Sequence, residues 1–493
     1  MRSVCLVRFT CCAFTFVLGV SGCGVLHLNS STNSEYDEAH DQEPVDTIAS
    51  AIVDPGHRGR DDTLVILSFS GGGSRAAYMA AKVMFELEKW VYEDDKHLLA
   101  EVDAISSVSG GSLPAAYYAI TRDPGPEAET EGPVRYRLWN ERKVLREMKK
   151  NYIRKWFANW FWPHNVVRYW LTDFDRTDIM AKTFADNMFD RPGLKQLDYT
   201  IGQLNPERPH LVLNATNATA GKVSPEHHEA RTYTKQSSAN LSHAELEAAA
   251  GQAQFGSPFR FTQEQFREIH SDIRDYSLAR AVMATASFPA VFNYMTLRDY
   301  SSADGRYVHL FDGGASDNQG LSGVLDILER SACRKTGAVP GSDDCEWTYE
   351  KVVVIFVDAY TGTGGVSAGS SDGRSFTDFV VDLNFIDATE SLLFANRDQR
   401  TNAFYDAFKQ YFPAPNKGIY YHITLDDIEN EVLRTQAQQV GTSFSLTDDN
   451  ADILNEAVVE LMKPTNVCLL AIAELLRDGS HNAKSDCKNP PRN

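Results

Sequence analysis

Apolar runs of strand length recur along the 493-residue chain: DTLVILSFS (62–70), VDAISSVS (102–109), HLVLNAT (210–216), YVHLFD (307–312), KVVVIFVDAY (351–360) and GIYYHITL (418–425). The first is apolar without alternation, as a parallel strand covered on both faces must be. Apolar positions at helical spacing mark 78–92, 177–189, 277–288, 320–331, 375–410 and 447–463. After the second run, LPAAYYAI is helix-like, and Pro114 suits a first helical turn, where its missing N–H costs nothing. Strands alternating with helices predict an α/β domain with a mainly parallel sheet. The segments 122–134, 221–262 and 361–375 are long and rich in Gly, Ser, Pro or charge, and are read as loops. No internal repeat is present. Residues 61–465 are read as one catalytic-type domain, and 466–493 as a short C-terminal extension.

The N-terminus changes this picture. MRSVCLVRFTCCAFTFVLGVSGC places Arg2 and Arg8 before an apolar stretch from Phe9 to Val20, followed by small residues. That is the pattern of a secretory signal peptide over 1–22, too short to span a bilayer as a stable helix. VSGC resembles the lipobox of bacterial lipoproteins, in which Cys23 carries lipid; the alternative is an ordinary signal with a chance cysteine. By the same resemblance, Gly24 in place of aspartate favours the outer membrane, facing the periplasm. Residues 23–60 are polar and acidic and read as a lipidated cysteine with a flexible tether. The net charge of −19 loses the two positive charges of Arg2 and Arg8, giving −21. Such an acidic chain argues against a nucleic-acid partner.

After removal of the signal, four cysteines remain besides Cys23: Cys333, Cys345, Cys468 and Cys487. An oxidising compartment permits disulfides, and the pairings closest in sequence are Cys333–Cys345 and Cys468–Cys487. Free buried thiols are the alternative. No zinc-ligand spacing and no calcium-loop pattern is present, so no metal or other cofactor is implied.

Three segments are candidates for chemistry. SFSGGGSRAA (68–77) sets three glycines between a strand and a helix, where backbone N–H groups can face an anion. It lacks the G-K-[ST] of a P-loop and the G-x-G-x-x-G of a dinucleotide site, which leaves an oxyanion site or a plain tight turn. SSVSGGS (106–112) has the strand–turn–helix context of a nucleophile elbow, with Ser109 before Gly110–Gly111 and Ser112 placed to cap the helix. A strand–turn–helix junction with capping serines is the alternative. LFDGGASDNQGLSG (310–323) ends a strand in Asp312, read as the C-terminal end of a parallel strand, where α/β folds place functional groups; Asp-Gly is also a common turn pair. Together the three supply an oxyanion loop, a nucleophile and an acid.

These segments resemble the patatin-like phospholipase family, which carries G-G-G-x-[RK]-G, G-x-S-x-G and D-G-[GA]. GGGSRA (71–76) differs at Ala76, SVSGG (107–111) differs at Ser107, and DGG (312–314) matches in full. Supporting blocks at 175–189, 208–222, 278–292, 312–321 and 442–454 extend the resemblance over about 63–463. It implies a three-layer α/β/α sandwich acting as a lipid acyl hydrolase. Ser109 would be the nucleophile of a Ser–Asp dyad with Asp312. Gly71, Gly72 and Gly73 would form the oxyanion hole, with Arg75 positioning the loop. The rival mechanism is a histidine triad: His309 and His422 lie on strand runs, and the order Ser–Asp–His would allow His422. The rival function is a catalytically silent lipid-binding or envelope-structural protein on the same scaffold.

MKKNYIRKWFANWFWPHNVVRYWL (148–171) mixes Trp156, Trp160, Trp162 and Trp170 with Lys149, Lys150, Arg154, Lys155 and Arg168. It reads either as an interfacial segment, with Trp156, Trp160 and Trp162 meeting lipid headgroups, or as a core helix with a basic wet side.

Overall fold

The computed structural model describes residues 33–36, 48–55, 58–124, 134–172, 174–193, 197–219, 256–289, 291–303, 305–331, 333, 346–361, 397–412, 417–478 and 487. The signal segment and Cys23 lie outside them. At the centre is an eight-stranded sheet. Its strands are β1 (Thr63–Phe69), β2 (Ala104–Val108), β3 (His210–Asn217), β4 (Ser257–Phe261), β5 (Met295–Asp299), β6 (Arg306–Asp312), β7 (Lys351–Asp358) and β8 (Gly418–Thr424). The order is β5-β6-β3-β2-β1-β7-β8, with β4 also paired to β3. β3, β2, β1, β7 and β8 run parallel, whereas β4, β5 and β6 join antiparallel.

The helices used below are α1 (Gly73–Lys89), α2 (Ser112–Ala119), α3 (Tyr152–Trp160), α4 (Pro163–Leu171), α5 (Arg176–Phe184), α6 (Leu278–Thr285), α7 (Leu321–Ser331), α8 (Arg397–Tyr411), α9 (Asp448–Leu461) and α10 (Val467–Asp478). Strand side chains alternate between faces, and here the alternation separates two cores. Val65, Leu67 and Phe69 of β1 pack in one core with α1, α2, α6, α9 and α10. Leu64 and Ile66 pack in the other with α7 and α8. β7 divides the same way, with Val353, Ile355 and Val357 on one side and Val352, Val354 and Phe356 on the other. This is a three-layer α/β/α fold, and it explains why the central runs show no polar alternation. Each such buried aliphatic side chain contributes about 1.5–3 kcal/mol.

Several expectations are corrected. The strand carrying Asp312 is antiparallel, not parallel. β4 lies inside the stretch read as a loop, and β5 was not expected at all. Part of the 23–60 tether is instead packed on the domain: Ser34–Glu35 pairs with Ser271–Asp272, and Ile48, Ala49, Ala51 and Val53 are buried. Apolar residues spaced along that acidic segment are enough to fix it. In the C-terminal extension, α10 buries Leu469, Ile472 and Leu476 in the same core as α1. Cys468 and Cys487 are joined in a disulfide. Cys333 is disulfide-bonded, and Cys345 lies outside the described residues. Of the helix expected over 375–410, only Arg397–Tyr411 is described. Among the described residues no helix is long and apolar enough to cross a membrane.

Candidate active site

The site arises where two strands end against a third. β4 and β6 both oppose residues 215–217 of β3, so they occupy its two edges. β2 opposes 210–214 of β3, overlapping β4 at 213 and 214, and therefore shares its edge with β6. Val108 faces Asn214, and Asp312 faces the next residue, Ala215. Two strands of opposite direction thus meet end to end, one delivering Ser109 and the other Asp312. Gly313 fits only as glycine, since a Cβ there would lie 2.2 Å from the Asn214 carbonyl oxygen.

Ser109 turns out of β2 with φ of 50°, a conformation L side chains avoid. Its Oγ donates to Asp312 Oδ2 at 2.8 Å. The two glycines that follow allow the glycine loop to approach. A Cβ on Gly110 would lie 2.0 Å from the Gly73 carbonyl oxygen, and one on Gly111 would lie 2.7 Å from that of Ser70. Two motifs far apart in sequence are thereby in direct contact.

The other serines of the segment have different surroundings. Ser106 Oγ donates to the Gly320 carbonyl at 2.6 Å and accepts from Asn214 Nδ2 at 2.9 Å. With Ser68 Oγ on the Gln319 carbonyl at 2.8 Å, it clamps the turn that follows the acid. Ser107 is fully buried, and its hydroxyl has no partner among the described residues. Ser112 does not cap the helix; its hydroxyl too is buried without a partner there.

Asp312 is buried, and its surroundings are neutral. Burial pushes its carboxyl up to about 6, offset in part by the Gly314 N–H at 2.8 Å on Oδ1 and by Ser109. A carboxylate so poised accepts a proton more readily than an exposed one. His422 is not part of this site. It sits on β8, three strands from β2 in the sheet order, with Nε2 3.2 Å from Asp358. His309 Nδ1 contacts Thr296 Oγ1 at 3.0 Å.

The glycine loop needs one correction. The Gly71 N–H is committed to the Asn318 carbonyl at 2.9 Å, so it is not available to an oxyanion. Asn318 lies in the turn after Asp312, a contact that local sequence gives no means of finding. Gly72 and Gly73 have φ of 141° and 58°, and no partner of their N–H groups is seen among the described residues. Ala76 is buried in the first turn of α1, and a Cβ on the facing Gly72 would stand 3.3 Å from its methyl. Arg75 is fully buried; Nε donates to the Ala359 carbonyl at 2.7 Å and Nη1 to that of Val440 at 2.6 Å. It ties the loop to the end of β7 and to the segment before α9.

The tryptophan segment is two helices, α3 and α4, separated at Pro163 in the first turn of α4. Trp156 is 1% exposed and Trp160 is partly buried against the core, which corrects their reading as headgroup contacts. Trp162 is exposed.

A family model described as patatin-like phospholipase matches residues 67–325, just over half of the chain. Among solved structures, the crystal structure of VipD from Legionella pneumophila is similar at 10% identity and a TM-score of 0.28, covering 82% of this chain and 67% of that one. No curated protein matches.

Proposed function

The chain belongs to the patatin-like phospholipase family, and on that premise we propose that it hydrolyses acyl esters of membrane lipids with Ser109 as nucleophile and Asp312 as base. The observation that carries this reading is the 2.8 Å hydrogen bond from the Ser109 hydroxyl to Asp312. As Oγ attacks the ester carbonyl carbon, its proton passes to Asp312 Oδ2. Negative charge develops on the carbonyl oxygen, toward the N–H groups of Gly72 and Gly73. Collapse breaks the ester C–O bond, and Asp312 returns the proton to the departing alcohol. Water then attacks the acyl-Ser109 ester, Asp312 takes its proton, and the fatty acid leaves with Ser109 restored.

A fluorophosphonate probe tests the nucleophile. Labelling of the parent that is lost in Ser109→Ala supports the proposal. Absence of labelling in the parent favours a silent lipid-binding scaffold. We further propose that the chain is an exported lipoprotein held at the outer membrane through Cys23. Metabolic labelling with a fatty-acid analogue, present in the parent and absent in Cys23→Ser, is the expected result.

A further inference from the structure

Helix α4 is turned the wrong way for a globular protein. Val167, Trp170 and Leu171 stand at i, i+3 and i+4 and form one apolar stripe, the kind a helix normally buries. Here all three are exposed, Leu171 at 63%. At the turn between α3 and α4, Phe161 is 75% exposed and Trp162 is 60% exposed. Five large apolar side chains are thus exposed within the eleven residues 161–171 of a single helical hairpin. Scattered exposed hydrophobics need no explanation, whereas a contiguous patch does.

Charge points to what covers it. Between Glu147 and Asp173 the chain carries five Lys or Arg residues and no acidic residue, within a protein of net charge −19; Lys149 pairs with Asp448 and Lys150 with Glu147, which leaves Arg154, Lys155 and Arg168 as the cations of the hairpin. Arg154 and Arg168 are exposed on the two helices. Aromatic residues with a cationic fringe suit the boundary between acyl chains and anionic headgroups. A second acidic copy of this chain suits it less.

The hairpin is also joined to the active site. Trp160 contacts Trp156 at 5.0 Å between ring centroids, Trp156 contacts Phe292 at 5.4 Å, and Phe292 contacts Phe444 at 6.0 Å. Ser443, beside Phe444, accepts the Ser74 N–H on its carbonyl at 2.8 Å, at the edge of the glycine loop.

We propose that the α3–α4 hairpin is a membrane-docking surface. Phe161, Trp162, Val167, Trp170 and Leu171 enter the interface of an anionic bilayer and bring the catalytic face to its lipid. The inference rests on the acyl-hydrolase reading for its purpose, not for its geometry.

The test uses the full chain carrying Ser109→Ala, so that no lipid is consumed. It is mixed with phosphatidylethanolamine–phosphatidylglycerol vesicles brominated in the acyl chains. Tryptophan quenching is expected, falling at least about threefold in Trp162→Phe/Trp170→Phe and weakening on phosphatidylcholine vesicles. In the active enzyme, Trp162→Asp/Leu171→Asp should lower hydrolysis of vesicle lipid about tenfold while leaving a soluble short-chain ester unchanged. Quenching that is equal in the parent and the phenylalanine variant overturns the proposal. So does a concentration-dependent dimer that Trp162→Asp abolishes without any vesicle quenching, which would assign the patch to a second copy. Vesicle contact without fluorophosphonate labelling of the parent sinks the hydrolase reading alone; labelling without vesicle contact sinks this surface alone.

Discussion

Two aspartates end strands of the same sheet, and their fates are opposite. Asp312 ends β6 and Asp358 ends β7; both are buried, and each accepts a backbone N–H, from Gly314 and Tyr360 respectively. Around Asp312 only Ser109 is added. Around Asp358, Arg397 Nε donates at 2.9 Å and Nη2 donates as well, with His422 Nε2 at 3.2 Å. Burial pushes both carboxyls up. At Asp358 the charge of Arg397 and the His422 contact overcome it and hold the group well below the usual carboxylate range. The same residue type at the same kind of position has its carboxyl pushed up in one place and held as a fixed anion in the other. Position at a strand end does not set the proton affinity; the presence of a cation at Asp358, and none beside Asp312 among the described residues, does.

The largest expected difference comes from neutralising each in turn. Asp312→Asn should lower kcat by about 10³-fold or more, since it removes the proton acceptor and leaves the elbow in place. Asp358→Asn should leave the kcat of the folded enzyme within a few-fold. It removes the buried anion facing Arg397 instead; Arg397 keeps its 2.7 Å pair with Asp398, so the cost in stability stays below about 3–5 kcal/mol, that of a fully stranded charge. Steady-state kinetics beside urea denaturation separates the two. A large kcat loss in Asp358→Asn with unchanged stability would erase the comparison.

Next comes the contact that brings the glycine loop to the turn carrying Ser109. Gly110→Ala drives a methyl into the Gly73 carbonyl, 2.0 Å away. Backbone must move, and a shift near 1 Å at reacting atoms costs about 10²-fold. The expected loss is in kcat, with fluorophosphonate labelling slowed in proportion.

The pH dependence sharpens the comparison further. In the proposed mechanism Asp312 must be ionised to take the proton, so kcat/KM should fall about tenfold per unit below pH 6 and level off above it. Linkage works against stability here. The folded carboxyl titrates at about 6, above its ordinary 3.8, so its stabilising contribution is complete below pH 4 and is lost as pH rises through 6. Asp312→Asn should therefore be more stable than the parent at pH 8, on the order of 2–3 kcal/mol, and near parity at pH 4. Asp358 behaves in the opposite sense: its contribution is present above the ordinary carboxylate range and fades as pH falls below it.

How much of this was legible in the sequence follows from how local each feature is. Ser109, Asp312 and the glycine loop were legible because each sits in a short motif at the end of an apolar run. The direction of β6 was not, because pairing with β3 decides it and a six-residue run reads the same either way. Nor was the use of the Gly71 N–H, which depends on Asn318 in a turn 247 residues later. The tryptophans were left between two readings for a different reason. A helix face repeats over i and i+4, so Trp156 and Trp160 go inward together, while the break at Pro163 starts a new helix whose stripe points outward.

The smallest expected effect concerns Ser107, the departure that most weakens the G-x-S-x-G match. It lies on the same face of β2 as Ile105, two residues earlier, and Ile105 packs in the core that holds α1 and α2. A serine is small enough to be enclosed there, but its hydroxyl gives up water and gains no partner among the described residues. Such a group costs about 1–3 kcal/mol relative to an apolar group of the same shape. Ser107→Ala should therefore raise stability by about 1 kcal/mol without changing kcat. Ser107→Gly restores the family pattern but also frees the unfolded backbone, at about 0.5–1 kcal/mol; it should be no more stable than the parent. Urea midpoints in the order Ala above parent, with Gly at or below it, mark Ser107 as a tolerated burial. A fall in kcat in both variants would instead place its hydroxyl in the machinery of the elbow.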